Sequence, residues 1–94
     1  MKNMAQQYIT HKLKNITTEE LIYFSQMYDI SLTYKEAEKI VKELKKNKEN
    51  PFEKQGRKRM LRKLAAITSN ETARSLDMLL HRLAKQYGVE EWLQ

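Results

Sequence analysis

Three times in this chain a threonine stands three residues ahead of a glutamate, at Thr17/Glu20, Thr33/Glu36 and Thr68/Glu71. That spacing is the signature of a capping box. The Thr oxygen accepts from an otherwise free backbone N–H of the first helical turn, and the Glu reaches back to the cap residue's own N–H. Each box predicts a helix start, and each is followed by apolar residues at helical spacing. Two are reinforced by an apolar pair across the cap, Ile16 with Leu21 and Leu32 with Ala37, which sets the angle at which the chain enters the helix. Two glycines and one proline in 94 residues leave few breaks between such segments. The expected fold class is therefore all-α: a compact bundle of four to five short helices forming one domain over residues 1–94.

The helices are expected at about 3–14, 18–28, 34–47, 53–67 and 69–87. In the third, Ala37, Ile40, Val41 and Leu44 make an apolar stripe opposite Lys35, Lys39, Lys42 and Lys46. In the fourth, Met60, Leu61, Leu64 and Ile67 oppose Lys58, Arg59, Arg62 and Lys63. The fifth carries a broad apolar face of Ala73, Leu76, Leu79, Leu80, Leu83, Ala84 and Tyr87, and Gly88 suits a left-handed position that ends it. Beyond it, Val89, Trp92 and Leu93 are placed to fold back as an apolar hook. The second helix is apolar almost all round through Leu21, Ile22, Tyr23, Phe24, Met27 and Tyr28. Such a helix is normally buried among its neighbours, so it is expected at the centre of the core. In the connection from Asn47 to Phe52, Pro51 suits the first turn of the following helix.

The charge is unevenly spread. Residues 34–63 hold 12 Lys/Arg against 5 Asp/Glu, while the segments before and after carry net charges of 0 and −1. The whole chain stands at +6, so nearly all its excess lies on the third and fourth helices. Such an asymmetry speaks of partners, with an acidic surface first in line. No apolar run approaches the roughly 20 residues that cross a bilayer, and the polar first ten residues lack the apolar stretch of a signal peptide. The absence of cysteine removes disulfides, thiolate catalysis and cysteine-ligated zinc, and fits a cytoplasmic location.

Little points to catalysis. Neither His11 nor His81 has an acidic or histidine neighbour at i+3 or i+4, and a metal site needs three or four donors. Glu19–Glu20 and Glu90–Glu91 are adjacent, so on a helix they point apart. They suit the helix dipole better than acid–base work. Gly56 stands alone, with no phosphate-binding loop around it. The expectation is a non-enzymatic protein with no cofactor and no metal.

The basic stripes carry the functional expectation. A row of Lys/Arg gains free energy by releasing counterions from a nucleic-acid backbone, and arginines add bidentate phosphate contacts. In the third helix Glu36, Glu38 and Glu43 dilute the row; in the fourth, no acid follows Glu53. Arg57 falls toward the apolar side there and either snorkels or pairs with a buried carboxylate. The candidate nucleic-acid-binding residues are Lys39, Lys42, Lys46, Lys58, Arg59, Arg62 and Lys63, with DNA the expected partner. The rival expectation is a protein–protein adaptor or homodimer using apolar surface of the second helix or of the C-terminal hook.

Two resemblances bear on this. The stretch Thr18-Glu19-Glu20-Leu21 through Tyr28-Asp29-Ile30-Ser31-Leu32-Thr33, followed by Glu36-Ala37-Glu38-Lys39-Ile40-Val41, is similar to the helix–extended-loop–helix units of SAP- and LEM-like modules. Those modules commonly bind DNA or DNA-associated proteins. Here Asp29-Ile30 stands where they often place a glycine. Over most of the chain, the pattern at Ile40-Val41, Asn50 to Phe52, Arg59 to Leu64 and Ala66-Ile67-Thr68-Ser69-Asn70-Glu71-Thr72-Ala73 resembles the YqfT-like family of small proteins from Bacillus relatives. That resemblance implies a short, all-helical, cytoplasmic bacterial protein of unassigned function and brings no catalytic residues with it.

Overall fold

A computed structural model describes residues 4–88, with side chains described from Gln6 onward. Five helices fill that span: α1 (Met4–Lys14), α2 (Thr18–Met27), α3 (Tyr34–Lys45), α4 (Lys54–Ile67) and α5 (Asn70–Gln86). The fold is an all-α bundle. The C-terminal hook of Val89, Trp92 and Leu93, and the Glu90–Glu91 pair, lie outside the described residues.

Two of the three capping boxes form as the spacing requires. Thr17 and Thr33 accept from the N–H groups of Glu20 and Glu36, whose carboxylates return to the cap N–H groups at 3.0 and 2.9 Å. The third does not. Ser69 caps α5 by accepting from the Thr72 N–H at 3.0 Å, while Thr68 closes α4 and donates its hydroxyl to the Leu64 carbonyl at 2.6 Å. Where two hydroxyl residues are adjacent, either can cap. The bond back to Leu64 commits Thr68 to the helix it ends.

Helix α3, not α2, holds the central place. It packs against α1, α2 and α4, and α5 packs on α4. Ala37, Ile40, Val41 and Leu44 are buried and join Ile16, Leu21, Met60, Leu64, Leu79, Leu80 and Ala84 in one core. On α2 only Leu21 and Ser25 are buried, while Tyr23 and Met27 are 60% and 46% exposed. The central-core expectation for α2 therefore fails. Tyr23, Phe24 and Tyr28 are amphipathic or half-buried, and one narrow face is enough to hold the helix. Tyr87 is likewise exposed on α5, edge-on to Tyr8 with ring centroids 5.6 Å apart. Ile67 sits at the rim of the core, 37% exposed.

Helix α2 ends in a Schellman motif. The Ile30 N–H donates to the Ser25 carbonyl and the Asp29 N–H to the Gln26 carbonyl, with Asp29 at φ 57°. That left-handed conformation favours glycine, but Asp tolerates it better than most residues. Gly88 takes the same role after α5, at φ 71°.

The connection between α3 and α4 is as closely packed as a helix. Asn47, Pro51 and Phe52 are all buried. The Asn47 amide donates to the Glu49 carbonyl and its oxygen accepts from the Glu49 N–H, at 3.0 and 3.2 Å. Asn50 Oδ1 accepts from the Phe52 N–H at 2.9 Å. Pro51 thus belongs to a turn and not to the first turn of α4, which starts at Lys54 after the cap residue Glu53. This turn lies against Gly56, where a β-carbon would come within 2.6 Å of the Asn50 carbonyl oxygen. Intrinsic propensity favours alanine over glycine inside a helix by roughly 1 kcal/mol. Gly56→Ala is nevertheless expected to destabilise, by about 1–3 kcal/mol, because backbone must move to admit the methyl group. Urea denaturation monitored by circular dichroism measures the sign directly.

Glu36 serves two helices. Its Oε1 accepts from the Thr33 N–H, and its Oε2 accepts from the Thr72 hydroxyl at 2.5 Å. Thr72 Oγ1 in turn accepts from the Ser69 hydroxyl at 2.9 Å. The bonds from Thr72 and from the Thr33 backbone hold the Glu36 carboxyl below its ordinary value of 4.5. A carboxyl with a depressed folded value adds stability above its unfolded value and loses it as pH falls through the folded one. Glu36→Ala should cost about 1–2 kcal/mol near neutrality. The gap between its melting temperature and that of the native protein should narrow in melts run progressively below pH 4.5.

Candidate nucleic-acid interface

The seven candidate cations all lie on the outer surfaces of α3 and α4 or just past the end of α3. Amphipathic packing puts them there: each helix turns its apolar stripe inward and leaves the opposite side to water. On α3 and its C-cap, Lys39, Lys42 and Lys46 line a groove with Glu43, and Ile67 of α4 completes it. A smaller groove on the other side of the row is lined by Lys35, Glu38, Lys39 and Lys42. Lys39 and Lys42 therefore stand as a ridge between two depressions. Ile67 lies one helical turn beyond Lys63, so the α3 row meets the C-terminal half of α4.

The cations are not equivalent. Arg59 is held by a two-pronged pair, Nε to Glu49 Oε2 at 3.0 Å and Nη2 to Oε1 at 2.9 Å. The hydrogen bonds from Arg59, followed by its charge and that of Lys63, keep the Glu49 carboxyl below its ordinary value. Lys46 lies 3.8 Å from Glu43. Lys39, Lys42, Lys58, Arg62 and Lys63 make no ion pair within 4 Å among the described residues.

Arg57 belongs elsewhere. It is buried between α4 and α5, where its guanidinium donates to the Pro51 carbonyl at 3.3 Å and its Nε lies 3.8 Å from Asp77 Oδ1. Of the two fates open to it in the sequence, it takes the pairing one, and phosphate contact is ruled out while the bundle is folded. Asp77 Oδ1 is sealed from solvent. It also lies 3.5 Å from His81 Nδ1, which donates to the Asp77 backbone carbonyl at 2.8 Å. His81 does have an acidic neighbour, four residues before it instead of after. On α1, Lys12 is bound to Glu20, and Glu19 accepts from the Tyr34 hydroxyl at 2.9 Å. Both carboxylates of that adjacent pair are thus engaged in holding helices together.

Sequence reasoning missed Glu49 and Asn47. A carboxylate ten residues ahead of an arginine, across a non-helical connection, has no periodicity to reveal it. The one local hint is Asn47, two residues earlier, a residue type that often bonds the backbone two residues on.

Comparison with known proteins places the chain. The model of a family described as "Protein of unknown function (DUF2624)" matches residues 1–84. The chain belongs to that family. It is also 34% identical over 76 residues to "Uncharacterized protein YqfT" of Bacillus subtilis (strain 168), covering 81% of this chain and 90% of that protein. The YqfT-like resemblance read from the motifs is thereby borne out. No solved structure matches the chain. Among the described residues, no helix is long and apolar enough to cross a membrane, and no three His, Asp or Glu side chains are grouped to hold a metal ion.

Because Arg57 is buried beside a sealed carboxylate oxygen, its loss should read out in stability. Arg57→Ala is expected to lower it by about 2 kcal/mol; breaking a fully buried pair costs more, but Asp77 is partly open to water. Adding Asp77→Asn should recover part of the loss, as thermal melts of the two single variants and the double will measure.

Proposed function

We propose that this protein is a non-enzymatic binder of nucleic acid, DNA first, which it meets through the outer faces of α3 and α4. The observation that supports this most is the placement of the unpaired cations. Lys39, Lys42, Lys58, Arg62 and Lys63 are exposed and form no ion pair among the described residues. They carry much of the charge excess of a chain at +6. Charges already paired at home gain little by meeting phosphate, whereas free ones gain by releasing counterions. The contacts proposed are to the backbone, which position a protein without reading sequence. Lys46 and Arg59 take part only when they leave Glu43 and Glu49. A cytoplasmic location fits this role.

The second reading is an adaptor or homodimer docking through α2, favoured by one observation: Tyr23 and Met27, one turn apart, are both exposed. The two differ in their response to salt. A phosphate-driven complex weakens steeply as salt rises, and an apolar one barely changes.

Replacing Lys39, Lys42 and Lys63 together by Gln should leave helicity and melting temperature nearly unchanged while lowering affinity for a DNA duplex. The slope of log affinity on log salt should shrink by roughly 0.9 for each lost contact. Lys14 of α1 and Lys85 of α5 serve as the comparison, since both are exposed, form no ion pair among the described residues and lie outside the charged segment. Anisotropy titration from roughly 50 mM salt upward, where such contacts are strongest, measures both quantities. No binding by the native protein there would refute the reading, and an equal loss in the Lys14/Lys85 variant would reduce it to unlocalised polycation binding.

A further inference from the structure

One acid on this basic surface is held with unusual care. Glu49 takes two hydrogen bonds between its own backbone and the buried side chain of Asn47, one to its N–H and one to its carbonyl. Its position is thus fixed before its carboxylate meets anything. The carboxylate then fills both prongs of Arg59 at 2.9 and 3.0 Å, while Lys63 adds its field. Exposed ion pairs usually contribute little to stability, and a staple for this connection is scarcely needed where Asn47, Pro51 and Phe52 already anchor it in the core. A planar guanidinium binds carboxylate and phosphate oxygens by the same fork geometry.

We infer that Arg59, with Lys63 beside it, is an oxyanion site for a backbone phosphate, and that Glu49 occupies it from within as a built-in competitor. The inference rests on the proposed nucleic-acid role. In the free protein the pair is neutral and the flanking cations make the first contacts; a phosphate gains Arg59 only by displacing the carboxylate. Glu49 therefore sets how tightly the face binds and how strongly salt opposes it.

The test uses the full chain in five forms: native, Glu49→Ala, Arg59→Gln, the Glu49→Ala/Arg59→Gln double and Glu53→Ala. Asn47 grips only the backbone of residue 49, so the alanine variant keeps its turn, and a melt checks this; Glu49→Gln serves as a second variant of the same size. Titrated with duplex DNA across a salt series, Glu49→Ala should bind several-fold tighter, with a slope steeper by roughly 0.9, the mark of one added phosphate contact. The double variant should return to native affinity and slope. Glu53→Ala removes the same charge from the cap of α4, which has no side-chain hydrogen bond, and should gain less without the slope change. In parallel, the Arg59 side-chain Nε–H resonance is followed by NMR during addition of inorganic phosphate. It should shift in Glu49→Ala and stay still in the native protein.

Equal gains in Glu49→Ala and Glu53→Ala, or a gain that survives in the double, would overturn the competitor role and leave only net charge. A still Nε–H resonance in Glu49→Ala would overturn the oxyanion site even if DNA binds. If phosphate shifts that resonance but no form binds DNA, the oxyanion site and its internal competitor stand and the nucleic-acid reading falls.

Discussion

The carboxylate of Glu36 is where two halves of this bundle are joined. One oxygen completes the capping box of α3 and the other accepts from Thr72 in the first turn of α5. Through Thr72 it reaches Ser69, the N-cap of α5. Two helix N-termini, each with free N–H groups and a positive dipole end, thus share one negative group. This ties the start of α5 to the start of α3, two helices that otherwise meet mainly through α4. Helix α3 is central because its buried stripe reaches α1, α2 and α4 at once, while the opposite side is left to its lysines.

What could be read from the sequence was what is decided locally. A capping box spans four residues, and an amphipathic stripe repeats within a turn, so α1 to α5 and the cores of α3 and α5 were all legible. The third cap lies one residue beyond the spacing signal because Thr68 and Ser69 offer the same chemistry, and only the bond from Thr68 to Leu64 separates them. Helix α2 departs from its apolar pattern because tyrosine counts as apolar in a pattern yet keeps its hydroxyl in water. Tyr28 does so while bonding Gln86 of α5, and Tyr23 does so in the open.

The candidate site was legible as charge and illegible as pairing. Exposure of the seven cations followed from the stripes. That Arg59 is engaged by Glu49, and Arg57 by the Pro51 carbonyl, depends on the path of the α3–α4 connection. No periodicity encodes that path. It is set by a buried amide at Asn47, a turn at Asn50 and the missing side chain at Gly56, three features that make sense only together.

That connection changes where the chain can be altered. Long surface connections are usually the places that accept inserted residues or new termini, because little packs against them. Here the six-residue stretch from Asn47 to Phe52 buries its first, fifth and sixth residues and presses its backbone onto Gly56. An added residue would pull Pro51 and Phe52 out of the core and shift every charge on α4 relative to α3. The longest link between these helices is thus a poor place to lengthen the chain.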